Sequence, residues 1–279
     1  FNVGLPGQAL AGWVSAVWFA LSFPDLPKVV SVICTVIIGL VAGGIAGAIP
    51  GILRAYLGTS EVIVTIMMNY IILYVANNII RFGFTADMLR SSEASNKVVA
   101  SASYQTEFLS QITGGSRFNI GFFLALAAAF LVWFLLKKTT TGFEITSVGL
   151  NPHASEYAGM SSKRVIIMSM IISGALCGLG GTVEGLGTFQ NVFVQNASLA
   201  IGWNGMAVAL LASNSPIGIP FAALLYGVLS IGKSGMIGVP SEIIDVVSAL
   251  IIFFVGANYI IRYWVRPRHK SVKAKGGQN

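Results

Sequence analysis

From Val29 to Pro50 the chain carries no charged side chain. About 20 such residues coiled as a helix span the hydrocarbon of a bilayer. Apolar runs recur at 62–80, 120–136, 165–187 and 243–261, with shorter ones at 9–23, 202–213 and 217–232. Hydrocarbon offers no hydrogen-bond partner, so the backbone must satisfy itself within helices or a closed barrel. The runs are continuously apolar rather than alternating, which selects helices. The sequence predicts an all-α integral membrane protein, a polytopic bundle of about eight membrane segments. The three short segments are expected to be tilted, broken or re-entrant. Only 10% of the 279 residues are charged, against about 25% in a soluble domain.

The positive charge is unevenly placed. Arg262, Arg266, Arg268, Lys270, Lys273 and Lys275 follow the last apolar run. A basic tail directly after a span is a cytoplasmic anchor, not a nucleic-acid footprint. The chain is thus divided into a transmembrane domain, 1–261, and a basic tail, 262–279. With the tail inside, Arg54, Lys137, Lys138, Lys163 and Arg164 also fall inside, and 137–164 becomes a cytoplasmic loop within the membrane domain. The Ser-rich segment 82–119 falls outside, where we expect a flexible loop. Glu242 and Asp245 sit in the first turn of the last span, where carboxylates favour a helix N-terminus.

Glycines repeat at four-residue spacing at Gly39, Gly43 and Gly47, at Gly174 and Gly178, and at Gly181 and Gly185. Such stripes let helix backbones approach closely in a membrane. Cys34 and Cys177 each lie in an apolar run and are read as packing residues. His153 and His269 lie apart, and no metal constellation is legible.

GVLSIGKSG, residues 227–235, fits the glycine-rich pattern that cradles nucleotide phosphates. That pattern works after a β-strand, at the mouth of a helix whose free N–H groups face the phosphates. Here it lies inside an apolar span, with Lys233 expected on the outer side, so it is not read as a nucleotide site. If the chain moves cargo with ATP, another subunit must hold and hydrolyse it. The loop 137–164 offers such a subunit a contact. Asn151 is a good N-cap, Pro152 fits the first helical position, and Gly159 is a good stop. A helix of about seven residues is expected between them, with Ala154, Tyr157 and Ala158 on one face. It serves either as a coupling element or as an ordinary loop helix.

Several stretches carry a family resemblance. FNVGLPGQ at the start, EVIVTIMMNYI from Glu61, VGLNPHASEYAGMSSKRVI from Val148 and GWNGMAVALLASNSPIG from Gly202 resemble the permeases of bacterial ABC importers in the branched-chain amino acid/ribose/nucleoside group. They look most like the nucleoside branch. The resemblance runs from the first residue to about 232. It implies a multi-pass cell-membrane permease, not itself an enzyme, carrying no cofactor of its own. It also implies a second permease subunit, cytoplasmic ATPase subunits that bind ATP, an extracytoplasmic substrate-binding protein, and a nucleoside as cargo. Family members carry further N-terminal membrane sequence, so this chain is expected to begin partway in. The segment around Gly149, Asn151, Ala154, Tyr157, Ala158 and Gly159 matches the family's ATPase-coupling segment. The pattern departs at Pro6, where many relatives carry an acidic residue.

A nucleoside path calls for amides, hydroxyls and aromatic faces. Polar side chains inside apolar spans are costly and mark candidates. Asn69 lies eight residues past Glu61, roughly 12 Å into the membrane, where it either contacts substrate or binds helices together. Asn2 and Gln8 lie in FNVGLPGQ, whose Gly4, Pro6 and Gly7 discourage a regular helix. That stretch either lines the path or forms a tight turn. Glu184 is expected at the outer interface unless the glycines around it turn it inward. Trp203 and Asn204 begin a short segment and could add stacking and hydrogen bonding. The alternatives are a simple-sugar importer permease and a cation-coupled secondary transporter, which would work without ATP.

Overall fold

The computed structural model describes residues 2–235 and, beyond them, positions 243, 246, 249, 250 and 253. Glu242, Asp245 and the tail from Arg262 lie outside the described residues. The chain divides into two compact units, Phe1–Met206 and Ala207–Asn279.

The first unit holds helices α1 (Leu5–Ser22), α2 (Lys28–Leu57) and α3 (Glu61–Asn78). A small antiparallel hairpin follows, β1 (Leu89–Ser91) with β2 (Ala94–Ser95), then the short α4 (Glu107–Ile112). Next come α5 (Gly121–Lys138), α6 (Thr140–Leu150), α7 (Pro152–Tyr157) and α8 (Ser162–Val183). α9 (Ala200–Leu211) begins in this unit, and α10 (Gly218–Gly235) lies in the second. α3 and α8 each run on into a widened π-type segment, Ile79–Gly83 and Glu184–Phe189. Four of the described stretches are long and apolar enough to cross a membrane: Lys28–Leu57, Glu61–Gly83, Gly121–Lys138 and Ser162–Phe189.

The glycine stripes do what their spacing predicts. α2 and α8 cross backbone to backbone. A Cβ on Gly43 would collide with the Gly174 carbonyl, and one on Gly178 with the Gly39 carbonyl. α1 docks into the same crossing, because Gly181 faces the Ala9 carbonyl and Gly12 the Gly178 carbonyl with no room for a methyl. Without a hydrophobic force between helices in lipid, this close van der Waals approach holds the three together. α1 is consequently the buried core, with Leu10, Trp13, Ala16 and Val17 almost inaccessible.

One end of this unit carries a folded cap rather than the flexible loop expected over 82–119. Its backbone pairs with the stretch after α8: Ser95 N–H donates to Val192 O at 2.8 Å, Val98 N–H to Gln190 O at 2.8 Å, and Tyr104 N–H to Leu186 O at 3.1 Å. The Tyr104 hydroxyl lies 3.0 Å from Thr35 Oγ1 in α2, and Lys28 Nζ donates to Gln105 O at 2.7 Å. Trp13 stacks on Phe189 and donates its indole N–H to Asn191 O at 2.9 Å. Serine and asparagine therefore read as loop composition while serving here to satisfy the backbone of a compact lid.

The opposite end holds the α2–α3 turn and the α6–α7 segment. Gly58 ends α2 in the left-handed conformation at φ 65° and donates its N–H to Arg54 O at 3.1 Å, a glycine helix stop. Arg54 Nε and Glu61 Oε2 sit 3.4 Å apart across the turn. The loop 137–164 contains more helix than expected, since α6 precedes the anticipated short helix. Its Thr139 cap accepts the Gly142 N–H at 3.1 Å.

GVLSIGKSG lies within the continuous helix α10. The element directly before it is the helix α9 rather than a β-strand, so it lacks the strand-to-helix loop that holds phosphates, as the sequence reading expected.

Candidate functional site

Three of the sequence candidates meet at the start of α1. FNVGLPGQ is less irregular than expected. The non-helical part is confined to the residues before Leu5, and Pro6, Gly7 and Gln8 are already helical. Proline tolerates the first turn because its missing N–H would have had no helical partner there. Of the remaining first-turn donors, Gly7 N–H is taken by Asn69 Oδ1 at 2.9 Å. Asn69 Nδ2 donates to Val3 O at 3.0 Å, so one amide from α3 holds the chain on both sides of the start of α1.

Asn2 ties the same entry to α8. Its Oδ1 accepts Gly4 N–H at 2.9 Å, and its Nδ2 donates to Gln8 Oε1 at 2.8 Å and Ser173 Oγ at 2.9 Å. Gln8 Nε2 returns a bond to Asn2 Oδ1 at 3.2 Å. Cys177 Sγ donates to Leu5 O at 2.9 Å. Gln8 and Asn69 are 1% and 2% exposed, whereas Asn2 is partly open. The knot is uncharged and internally satisfied, which is how polar groups survive at this depth. Chemically it can position the α1 N-terminus and offer hydrogen bonds at Asn2. It has no nucleophile–base pair, and no cluster of metal-ligating side chains occurs among the described residues.

Ser173 was missed by sequence reasoning, and Cys177, read there as a packing residue, also donates a hydrogen bond. They share a face of α8 at i, i+4 spacing, a pattern masked by the glycines beside them. Glu184 is not part of the knot. It opens the π segment, about 16 Å along α8 from Ser173 by helical rise, half-buried, with Oε2 accepting from Thr188 Oγ1 at 3.2 Å. Trp203 and Asn204 lie in the first turns of α9, the former 40% exposed. Their neighbour Gly202 abuts Pro6 so closely that a Cβ would strike its backbone. This contact brings α9 beside the entry to α1, but no hydrogen bond joins Trp203 or Asn204 to the knot.

The second set of candidates is built as expected. Asn151 caps α7, its Oδ1 accepting Ala154 N–H at 3.1 Å, and Gly159 follows at φ 85°. Ser155 is buried, and Ser162 Oγ donates to Pro152 O at 3.1 Å, fastening α7 to the first turn of α8. The other face is open. Tyr157 is 97% exposed, and Ala154, Ala158 and Gly149 are uncovered. Leu150 and Phe143 add apolar surface beside it.

Residues 1–256 match the family described as branched-chain amino acid transport system / permease component. The chain belongs to this permease family. It is 52% identical over 278 residues to the nucleoside ABC transporter permease protein NupB of Lactococcus lactis subsp. cremoris, covering 98% of this chain and 76% of that one. It is 47% identical over 266 residues to the guanosine ABC transporter permease protein NupP of Bacillus subtilis, covering 94% and 75%. The guanosine ABC transporter permease protein NupQ of the same organism matches over 104 residues at 36%, covering 37% of this chain and 32% of that one. No solved structure matches the chain.

Proposed function

We propose that this chain is the permease subunit of an ATP-driven nucleoside importer. The observation that carries the proposal is the 52% identity, over nearly the whole chain, to a permease named for nucleosides. In this reading the capped end faces outward and the α7 end faces the cytoplasm, with the basic tail. Cytoplasmic ATPase subunits bind and hydrolyse ATP and press on α7, whose open face suits a groove in a partner. A binding protein delivers the nucleoside at the cap. A second permease completes the path, and NupQ supports that reading because Bacillus subtilis carries two permeases named for guanosine. Asn2, Gln8 and Asn69 set the geometry of the path at its middle, with Asn2 the group left open to cargo. Glu184, Trp203 and Asn204 lie along it on either side.

The test is competitive uptake. Cells carrying the complete transporter take up labelled guanosine or uridine in the presence of excess unlabelled nucleosides, ribose or galactose. Competition by nucleosides alone is the expected result. Competition by free sugars would move the protein to a simple-sugar importer. Uptake driven by an ion gradient without ATP would make it a secondary transporter.

A further inference from the structure

At the cap end, a cavity of about 440 Å³ opens between the end of α3 and the stretch 194–196. Its two walls are fastened to each other. Asn77 Nδ2 donates to Gln195 O at 2.8 Å, and Asn77 Oδ1 accepts Gln195 N–H at 2.9 Å. The Gln195 side chain is itself anchored, its Nε2 donating to Phe193 O at 3.2 Å. The two walls are thus tied together before anything binds, and the volume falls in the range of about 300–1,000 Å³ usual for ligand sites.

The lining is specific in kind. Tyr74 and Phe82 are 70% and 79% exposed and present aromatic surface. Asn78 and Asn196 line the cavity with side-chain amides that no other described group occupies. Arg81, the cation at the rim, is paired with Glu93 Oε1 at 3.3 Å, so the rim carries no uncompensated charge. An anion at Arg81 must compete with the Glu93 carboxylate already paired to it and meets that negative charge beside it. A purely apolar ligand would strip water from the amides without replacing their hydrogen bonds. A free sugar could lay its C–H face on a ring, but a base offers a fully planar partner together with a hydrogen-bonding edge for the amides. A neutral molecule with one planar face and several donors and acceptors satisfies every part of the lining.

We infer that this cavity is an outer reception site for a neutral nucleoside, its base against Tyr74 or Phe82 and its polar edge on Asn78 and Asn196. The inference rests on the nucleoside reading above. It adds a place where cargo is held before it reaches the knot at Asn69, which lies eight residues back along α3, about 12 Å by helical rise.

The experiment uses the complete transporter in membranes, without its binding protein. Single variants Asn78→Cys and Asn196→Cys, each keeping the other amide and both rings, are labelled with an impermeant thiol reagent, and Ser116→Cys in the cap serves as the control site. The unsubstituted chain corrects for Cys34 and Cys177. Guanosine or uridine should slow labelling at 78 and 196 at least threefold and leave 116 unchanged, while ribose and guanosine monophosphate should do neither. Tyr74→Ala should raise the guanosine concentration needed for half-protection about tenfold, as loss of a stacked base does, with Tyr74→Phe restoring it. Absence of nucleoside protection overturns the inference, and so does equal protection by ribose or by the monophosphate. Uptake of labelled guanosine by the unsubstituted transporter separates the two readings. Uptake without protection removes the reception site alone, whereas lack of uptake removes the nucleoside importer whatever the labelling shows.

Discussion

Asn69 bonds the backbone of residues 3 and 7 at once, accepting Gly7 N–H at 2.9 Å and donating to Val3 O at 3.0 Å. One side chain from α3 therefore fixes where α1 begins. In hydrocarbon, neither backbone group has water to fall back on. Asn69→Ala leaves a buried donor and a buried acceptor unpaired, at about 1–3 kcal/mol each. We expect the purified transporter to melt several degrees lower and nucleoside uptake to fall sharply. A thermal melt of Asn69→Ala indistinguishable from wild type would show that the entry to α1 is held by Asn2 and Cys177 alone.

The α2–α8 crossing allows a paired comparison on one helix. Gly178 faces the Gly39 carbonyl with no room for a methyl, whereas a Cβ on Gly180 meets nothing within 4 Å. Gly178→Ala must push the helices apart, an overpacking cost of about 1–3 kcal/mol. Gly180→Ala only removes helix-interior glycine, a gain of about 0.5–1 kcal/mol. Melting temperatures of the two variants should move in opposite directions. Equal shifts would mean that helix propensity, not backbone approach, governs the crossing.

The bundle was legible in the sequence because bilayer physics is one-dimensional: run length, glycine period and charge placement determine which stretches cross and which faces touch. The short helix α7 was legible for a similar reason, since Asn151, Pro152 and Gly159 are local signals within one short stretch. The cap was not. Its bonds join Ser95 to Val192 and Tyr104 to Leu186, pairs some 80 to 100 residues apart, and its composition imitates a loop. The knot at α1 was half legible. Asn2, Gln8 and Asn69 stood out as polar residues in apolar surroundings, but their convergence with Ser173 depends on the glycine crossing that brings α8 against α1. The cavity at Asn77 escaped for the same reason, because Gln195 reaches α3 only through the folded cap.

Tyr104 offers a pH signature of the cap. Burial pushes its phenol from 10.0 up to about 12, with the Thr35 hydroxyl pulling modestly the other way. The folded value lies above the unfolded one, so this contribution is fully present below pH 10 and is lost as pH rises from about 10 to 12. The difference between phenolate absorbance titrations of wild type and Tyr104→Phe should show the Tyr104 phenol ionising only as pH approaches about 12. The variant should also lose the added pH-dependence of stability in that window. A Tyr104 that ionises near its ordinary value of 10.0 would show that the cap opens readily.

The open face of α7 supplies the test of coupling. Ala154 and Ala158 are exposed on a helix whose cap at Asn151 and tether at Ser162 lie on other atoms. Replacing both alanines with glutamate adds bulk and charge to that face while leaving the cap, the tether and the buried Ser155 untouched. An uncompensated carboxylate pressed into a partner's groove is strongly disfavoured. Ala154→Glu with Ala158→Glu should therefore abolish nucleoside uptake while the chain still inserts and melts as wild type. Substrate should no longer stimulate ATP hydrolysis by the assembled complex. The capped helix would instead be only a loop element if this double variant imported nucleosides at the wild-type rate.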